Sequence, residues 1–556
     1  MRSMKRIIFF LILCVFVITP FNINFASAAG KVSIYVTEHN PGVGLGDDSN
    51  VSYMQGMSLD PDGQFNQFKC TSTSDNRCHS MDSWSIYSLL PVCSNGTFAQ
   101  CISGLDIFSG NEFVKAEYAE SASPLAFGED SSLHTPAGSS QSLWFITDKS
   151  LVKHFYSVKT QITYLAQKNS SPEPISMNAL IYPVEVMQAP GAPYSVQEVT
   201  QNGHTGVNGI GGPTNPMDCV YYSAVGKCGI PLNTAFTARL HLRVDNRLTG
   251  WLSGRLSHST IAVLKFDDFT NNLDVTGSSV QVPQILKTFD RSQLPPSMQN
   301  VGAGIGGVIP SGDITLMVLP NQLRGLQVYE TYKDLLGDRA TSISNSWSLR
   351  SLPASSNSCL MNRSSLSGVV STNSSFYSPT PPDYQDGKLK YQLASLHSLA
   401  DGSIFEGSYD LNLSSAAAKC LYGLSGKKVQ ATISIVHPDG TSSVTTDIME
   451  LSADWLHVNI SGFTFSSPEV DLQFTNVAEP VPSNTPLVID ASPSPIPLPS
   501  KPPQTAHNSS NQPVTQIPSA SPLKRNVAIS CRKGKIVKRV FGDKCPTGYT
   551  LFRKGN

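Results

Sequence analysis

Hydrophobic and polar residues alternate at every second position in many segments of the chain, which is the pattern of half-buried β-strands. The alternation is clearest in residues 31–36, 237–244, 313–318 and 429–436, and these segments are bounded by Gly, Pro, Asn or Asp. The sequence HPDG at residues 437–440 predicts a turn that joins residues 433–436 to residues 443–446 as a hairpin, because proline presets φ and glycine accepts a positive φ. The pattern therefore predicts a mainly β fold.

One segment follows a helical spacing instead. Hydrophobic side chains fall at positions i, i+4, i+7 and i+8, on one face of a helix, at Val328, Tyr332, Leu335 and Leu336. Gly337 can end such a helix, since glycine is common just beyond helix C-termini. The spacing predicts one short helix over residues 327–336, and one short helix does not change the fold class.

Changes in composition divide the chain into regions. Residues 291–311 are rich in Gly and Pro, which is typical of a linker, and they separate β-rich regions at 30–290 and 312–478. Residues 479–523 contain 12 prolines and few aromatic residues, a composition that favours a disordered spacer over a packed core. We expect two β-sandwich-like domains with local disulfides, this Pro-rich spacer, and a small basic C-terminal hairpin at 524–556.

The first residues have the features of an export signal. Basic residues precede an apolar run at 7–19, and the small residues Ala26 and Ala28 fit a signal-peptidase site, so the sequence predicts a signal peptide at 1–28. The apolar run is shorter than the roughly 20 residues that a membrane-spanning helix needs. We expect no membrane span after signal cleavage, and a secreted, extracellular or cell-surface location.

The cysteines point to an oxidising compartment. Of the 11 cysteines, Cys14 lies in the predicted signal peptide, and the even number that remains predicts disulfides in an exported chain. Many pairings of these cysteines are open. Pairing each cysteine with its nearest neighbour in the sequence predicts Cys70–Cys78, Cys93–Cys101, Cys219–Cys228, Cys359–Cys420 and Cys531–Cys545.

Charge is low overall and unevenly distributed. Charged residues make up 15% of the chain and the formal net charge is −1, which argues against a nucleic-acid-binding protein. Residues 524–556 contain ten Lys or Arg against Asp543 alone and so carry +9, whereas the chain between the signal peptide and this tail carries −13. The cations expected to contact anionic cell-envelope polymers or glycans are Arg532, Lys533, Lys535, Lys538, Arg539 and Lys544.

The sequence contains no convincing motif for catalysis, a cofactor or a metal. The spacing Gly302-x-Gly304-x-x-Gly307 matches a dinucleotide-binding fingerprint, but Pro310 follows where a helix would have to begin, so a flexible linker is the better interpretation. We predict no catalytic residue, no cofactor and no metal ligand.

These features predict a secreted or cell-surface protein that has a structural or interaction role and no enzyme activity. The alternative is a secreted carbohydrate-binding protein or carbohydrate-active enzyme that presents Trp84, Trp144 or Trp251 to sugar rings. Tryptophans in β-sandwiches are more often core anchors. A groove with exposed aromatic residues and two nearby carboxylates would favour the enzyme.

The C-terminal segment has an ordered motif, in which Cys531-x-Lys533-Gly-Lys535 precedes Cys545-Pro-x-Gly548-Tyr549. The motif resembles a short basic C-terminal module of secreted actinobacterial proteins, and residues 418–466 resemble a recurrent domain of such proteins. That family carries no assigned activity. The resemblance therefore implies a location and an architecture, and it assigns no catalytic or binding residue.

Overall fold

The computed structural model describes most of the chain between residues 30 and 477 and parts of the C-terminal tail. The described residues are 30–36, 49–61, 63–93, 98–201, 203–214, 219–248, 250–294, 314–318, 325–352, 357–360, 366–436, 442–452, 454–465, 469–477, 528–533, 536–541 and 550–551. The predicted signal peptide, the predicted spacer, residues 295–311 of the predicted linker and the predicted turn at 437–440 lie outside the described residues.

The described residues are mainly β, as predicted. The strands are β1 (Lys31–Val36), β2 (Tyr53–Leu59), β3 (Phe65–Cys70), β4 (Ser83–Leu89), β5 (Cys101–Ser109), β6 (Glu112–Lys115), β7 (Glu117–Ser121), β8 (Ser142–Thr147), β9 (Lys153–Gln167), β10 (Glu173–Gln188), β11 (Gly191–Gln201), β12 (His204–Pro213), β13 (Tyr221–Tyr222), β14 (Lys227–Pro231), β15 (Thr237–Asp245), β16 (Gly250–Gly254), β17 (Ser257–Lys265), β18 (Thr270–Ser278), β19 (Val280–Asp290), β20 (Ile314–Val318), β21 (Ser342–Ser351), β22 (Leu366–Thr372), β23 (Phe376–Tyr377), β24 (Asp383–Gln385), β25 (Lys388–Ala394), β26 (Glu406–Ser414), β27 (Lys428–Val436), β28 (Ser442–Glu450), β29 (Trp455–Thr464), β30 (Glu469–Asn476), β31 (Ala528–Lys533), β32 (Ile536–Phe541) and β33 (Thr550–Leu551). The helices are α1 (Asn76–His79), α2 (Gly325–Leu336), α3 (Ser415–Tyr422) and a 3-10 turn at Arg291–Gln293.

The elements with the clearest sequence patterns lie where they are predicted. The four strands with clear alternation correspond to β1, β15, β20 and β27, and the predicted helix is α2. Gly337, just after α2, has φ +71°, which is the conformation that favours glycine at this position. Strands β27 and β28 pair as the predicted hairpin, with Ile433 opposite Thr445.

Contacts within the chain group its residues into two units. Among the described residues, the first unit contains residues 30–36, 285–294 and 314–318, and the second unit contains all the others. In the first unit, β1 pairs antiparallel with the second half of β19 and parallel with β20. Val32, Ile34 and Val36 alternate with more exposed residues along β1 and are buried, as the period of two requires.

The second unit is built around a long sheet. Its strands run in the order β3-β2-β4-β9-β10-β21-β16-β22-β26-β29, and all neighbours are antiparallel except β16 and β22. The pairs β10–β21 and β16–β22 join residues from both sides of the predicted linker at 291–311. The contacts thus divide the chain differently from its composition, because Gly and Pro mark irregular segments and carry no information about which strands pair.

Two smaller sheets cover the long sheet and enclose two cores. The first is β6-β5-β15-β18-β17, whose side chains pack against β4, β9, β10 and β21 of the long sheet. The second runs β24-β25-β30-β27-β28 and continues through a parallel pairing of β28 with β32 into β31 and β33. Side chains of β25, β30 and β27 in this sheet pack against β22, β26 and β29. Each smaller sheet therefore forms a β-sandwich with part of the same long sheet.

Strand β22 is shared by both cores. Each of its seven residues is buried. Val369 belongs to the first core and its neighbour Val370 to the second, because consecutive side chains of a strand point to opposite faces of the sheet. The long sheet is therefore covered on both faces at β22.

Candidate functional site

Four of the five predicted cysteine pairs are disulfides in the structure. They are Cys70–Cys78, Cys93–Cys101, Cys219–Cys228 and Cys359–Cys420. Cys531 lies on β31, whereas Cys545 lies outside the described residues. The pairing of these last two cysteines stays a prediction.

The basic residues predicted to contact anionic polymers lie in the C-terminal tail. Arg532 and Lys533 are on β31, and Lys538 and Arg539 are on β32, which pairs with β31 as an antiparallel hairpin. Lys535 and Lys544 lie outside the described residues. The hairpin therefore brings four of the six predicted residues onto two adjacent strands.

The tryptophans that were candidates for sugar contact are core residues. Trp84 and Trp251 are fully buried and Trp144 is 4% exposed. Trp84 and Trp144 pack in the first core, and Trp251 packs in the second. The interpretation of these tryptophans as core anchors is confirmed, and none of the three can stack on a sugar from solution.

A buried carboxylate lies where β26, β29 and β17 meet. Asp410 is 2% exposed, and its oxygens accept hydrogen bonds from Ser259 Oγ at 2.5 Å and Asn459 Nδ2 at 3.0 Å. Asn412 Nδ2 donates to Ser259 Oγ at 2.7 Å, and His457 Nε2 lies 3.2 Å from Asp410 Oδ2. The hydrogen bond to Asp410 raises the pKa of His457, because the carboxylate favours the protonated imidazole.

This cluster contains a serine, a histidine and an aspartate, but its geometry is not that of an activated nucleophile. In such a site the imidazole lies between the hydroxyl and the carboxylate and takes the hydroxyl proton. Here Ser259 and His457 both contact Asp410, on different oxygens, so the imidazole is not interposed. The arrangement compensates a buried charge.

A cavity of about 320 Å³ lies among four parts of the second unit: the start of β2, the end of β3, the connection between β7 and β8, and β11. We call it the β2–β11 cavity. It is lined by Asn50, Val51, Ser52, Tyr53, Met54, Lys69, Cys70, Thr71, Ser123, Pro124, Ala126, Phe127, Ser139, Ser140, Gln141, Tyr194, Ser195, Val196 and Tyr222. Thr71, Pro124, Ala126 and Ser195 are exposed, so the cavity has a mouth that opens to solvent.

The hairpin β11–β12 forms one wall of the cavity. Its two strands pair with each other, and hydrogen bonds from β3 attach it to the long sheet. Lys69 Nζ donates to the carbonyl of Val196 at 3.0 Å, and the Lys69 backbone N–H donates to Glu198 Oε1 at 2.7 Å. On the next strand, the Thr205 N–H donates to Asn66 Oδ1 at 2.8 Å. These bonds fix the hairpin over β3.

Polar side chains form the inner surface of the cavity. Asn50 Oδ1 accepts from Gln141 Nε2 at 3.0 Å and from Lys159 Nζ at 3.3 Å. Ser52 Oγ donates to the carbonyl of Ser139 at 2.7 Å. Gln141 is 2% exposed, and among the described residues no group donates to its Oε1. This acceptor is buried behind the wall of the cavity, so its hydrogen-bonding capacity is unused but is not offered to a ligand.

Aromatic rings form the remaining walls. Tyr53 stacks on Tyr87 with 4.6 Å between ring centroids, and Tyr194 meets Tyr222 edge-on at 5.8 Å. Burial raises the pKa of Tyr194 to about 12, so its hydroxyl is neutral at physiological pH. Phe127 packs over Gly138, where a Cβ atom would lie 2.4 Å from the ring.

The lining residues define what the cavity can do chemically. None of the described residues that line it is acidic, so it contains no pair of carboxylates for glycoside hydrolysis. Lys69 contributes the one cation among these lining residues, and the other polar groups are hydroxyls and amides. Such a surface suits the binding of a small polar molecule without covalent chemistry.

The β2–β11 cavity was not predicted from the sequence. Its residues come from segments that are far apart in the chain and are ordinary Ser, Tyr, Asn and Gln residues. One weak sequence signal exists, the pair Gly211-Gly212. In the structure both glycines have positive φ, and they lie across from the register shift between Ala192 and Ser195.

Metal sites and membrane-spanning helices are absent from the described part of the chain. No three His, Cys, Asp or Glu side chains within it converge in a way that could hold a metal ion. None of its helices is long and apolar enough to cross a membrane.

Comparison with known proteins gives little information. No known protein family and no curated protein matches the chain. Two solved structures of oxalate decarboxylase from Bacillus subtilis, a deletion mutant and the enzyme at pH 4.6, show 11% and 10% sequence identity. Each comparison covers 61% of this chain, with 74% and 73% of the oxalate decarboxylase chain and a TM-score of 0.08 in both cases. At this TM-score the likeness carries no conclusion about fold or function.

Proposed function

We propose that this chain is a secreted or cell-surface protein without enzyme activity, which interacts with other molecules through its β-rich part and is retained by its basic tail on anionic cell-envelope polymers. The observation that carries the proposal is the placement of basic residues on the β31–β32 hairpin, within a tail of net charge +9. The rest of the mature chain has the opposite sign of charge.

Three further observations support the proposal. Four disulfides are typical of proteins from oxidising compartments. The described residues around Asp410 compensate a charge and do not activate Ser259. The lining of the β2–β11 cavity has the chemistry of a binding site. The resemblance to secreted actinobacterial proteins, seen in the tail motif, agrees with such a role.

The tail is suited to electrostatic retention. Exposed charges interact over roughly 10 Å at about 0.1 M salt, so a dense row of phosphates or carboxylates attracts a cluster of cations more strongly than it attracts single ones. A salt-dependent interaction of this kind needs no shaped pocket. Retention should therefore depend on the number of charges in the tail and on ionic strength.

The proposal is tested by substitution of Arg532, Lys533, Lys538 and Arg539 with glutamine. The wild-type protein should bind a polyphosphate resin at about 0.05 M NaCl and elute before about 0.5 M, because salt screens the charges. The variant should elute at a clearly lower salt concentration.

A matched control removes the same number of charges from the β-rich part, at the exposed residues Lys149, Lys168, Lys427 and Lys428. This control should elute like the wild type. Equal elution of the tail variant and the control variant would contradict the proposal, as would equal retention of the wild type on an uncharged dextran resin.

A further inference from the structure

We infer that the β2–β11 cavity binds one sugar residue of a glycan, without cleaving it. The inference goes beyond the proposed retention by the tail and uses no residue of the tail. The two can therefore fail independently. It also differs from sugar contact through exposed tryptophans, since Trp84, Trp144 and Trp251 are buried elsewhere in the two cores.

The size of the cavity sets the size of the ligand. A volume of about 320 Å³ lies at the lower end of the roughly 300–1,000 Å³ range of small-molecule sites. It is many times the roughly 10–15 Å³ of accessible volume that a single water molecule needs. A single ring with its substituents fits these dimensions better than an extended chain.

The walls of the cavity match the two kinds of surface on a sugar ring. A sugar presents apolar C–H groups on its faces and hydroxyl groups around its edge. Tyr53, Phe127 and Tyr194 provide aromatic wall surface. Thr71, Ser123 and Ser195 provide hydroxyl groups for the edge. Apolar ligands would leave these polar groups unpaired, at a cost in affinity.

Hydrogen-bonding capacity favours a ligand that both donates and accepts. Ser195, which lines the cavity and is exposed at its mouth, carries a hydroxyl that can accept hydrogen bonds from a ligand. Lys69 is a donor, and its Nζ atom already holds the Val196 carbonyl that positions β11. A hydroxyl group of the ligand can pair with either of these side chains, because each hydroxyl can donate one hydrogen bond and accept two.

The absence of acidic residues from the described lining explains why binding is not followed by hydrolysis. Glycoside hydrolysis needs a general acid and a second carboxylate across the scissile bond. The lining residues include neither, and their cation, Lys69, would oppose the positive charge that develops on the sugar ring.

The ligand reaches the cavity through its mouth, which offers a way to block it. Ser195 is exposed, lies on β11 and lines the cavity, whereas Gln197 is exposed on the same strand and does not line it. A tryptophan at 195 should obstruct the mouth. The same side chain at 197 adds equal bulk to the same hairpin outside the cavity.

The test measures binding of glucose, N-acetylglucosamine and glucuronic acid to the full mature chain by saturation-transfer NMR. At least one sugar should bind saturably to the wild type and to Gln197→Trp, and at least tenfold more weakly to Ser195→Trp. Preference for glucuronic acid would place its carboxylate near Lys69, and preference for a neutral sugar would place hydroxyl groups there. Both results support the inference.

A second pair of variants covers the case in which Ser195→Trp fails to fold. Ala126 also lines the cavity and is exposed, and its exposed neighbour Leu125 does not line it. Ala126→Trp should weaken binding at least tenfold, and Leu125→Trp should leave it unchanged. No saturable binding of any of the three sugars, or equal binding by blocked and control variants, would overturn the inference.

Discussion

The buried carboxylate of Asp410 requires neighbouring side chains that can donate hydrogen bonds to it. A carboxylate that is 2% exposed loses most of its hydration, and it is tolerated only where hydrogen bonds replace the lost water. Ser259, Asn459 and His457 contact its oxygens. Removal of any one of these partners should leave part of the charge uncompensated.

The pairing of His457 with Asp410 should make stability depend on pH. Because the hydrogen bond raises the pKa of His457 above its ordinary value of 6.5, the folded state favours the protonated imidazole. This stabilisation is fully present below the pKa of the unfolded chain, and it is lost as pH rises through the pKa of the folded state. In urea denaturation, His457→Gln should therefore cost more free energy of unfolding at pH 5.5 than at pH 9.

The Asp410→Asn background provides the control for this prediction. Without the carboxylate, His457→Gln should have the same effect on the free energy of unfolding at both pH values. A difference between wild type and His457→Gln that grows with pH would contradict the sign of the effect.

Residue-level features of this kind were out of reach of sequence reasoning. Asp410 and His457 are 47 positions apart, and neither belongs to a recognisable motif. They meet because β26 and β29 pair in a register that places Asp410 opposite Asn459. By contrast, the core role of Trp84 follows from its size and hydrophobicity, which the sequence contains.

At the scale of elements, helix α3 illustrates how several local devices reinforce one another. Ser414 caps its N-terminus by accepting a hydrogen bond from the Ala417 N–H, and Gly423 ends it with φ +63°. Cys420 on the helix is bonded to Cys359, which lies 61 positions earlier. The disulfide thus attaches the helix to the segment that precedes β22.

The disulfides should differ in their effects on stability. In the loop-entropy account, a bridge raises the free energy of the unfolded chain by reducing its entropy. The increase is about 4 kcal/mol for a bridge across 61 positions and about 2.5 kcal/mol for a bridge across 8 positions. Replacing Cys359 and Cys420 by serine should therefore lower the free energy of unfolding more than replacing Cys70 and Cys78. Urea denaturation of the two double variants, without reductant, measures the difference.

Each double variant serves as the control for the other, since each removes one bridge and two sulfur atoms. An equal loss for both bridges would show that loop length does not govern their contribution. A larger loss for Cys70–Cys78 would point to strained or unpaired groups near α1.

Elements were predictable where one strand or helix carries its own signal. The alternation in residues 237–244 corresponds to β15, and the hydrophobic spacing in residues 327–336 corresponds to α2. Strand β22 lacks alternation because each of its residues is buried, so no period of two marks it. The hairpin β11–β12 contains four glycines in β12, a composition that weakens a strand pattern.

On the scale of the whole second unit, the shared long sheet couples the two cores. Val369 and Val370 are adjacent in β22, yet they pack in different cores. Disrupting either core removes packing from one face of a strand that the other core also needs. The two sandwiches should therefore unfold together.

This coupling can be measured with Val369→Ala and Val370→Ala. Each substitution removes two buried methyl groups and should cost about 2 kcal/mol. Calorimetry should show one unfolding transition for the second unit, and either variant should lower its midpoint temperature by a similar amount. Two separate transitions, each moved by only one variant, would contradict the prediction.

Val225→Ala is a suitable control, because Val225 is 71% exposed. A substitution at so exposed a position should change the free energy of unfolding by less than about 0.5 kcal/mol. A larger effect would indicate that the valine substitutions act through backbone propensity instead of packing.

The pairing of distant strands and the β2–β11 cavity are the features that are hardest to predict from the sequence. Strand β10 pairs with β21 across more than 150 positions, and no local pattern in either strand selects this partner. The cavity likewise depends on where Tyr53, Gln141 and Ser195 come together after folding. Both are decided by packing among segments that are complete only in the folded chain.

The spacing of the disulfides also has a consequence for the order of events during oxidative folding. Three of the four bridges join cysteines 8 or 9 positions apart, and loops of about ten residues close in roughly 10–100 ns. For these six cysteines the nearest thiol along the chain is already the native partner, so early encounters favour native bridges and leave little to be reshuffled by an isomerase. Cys359 must instead wait until β26 and α3 have been synthesised, which makes its bridge the last of these four to form.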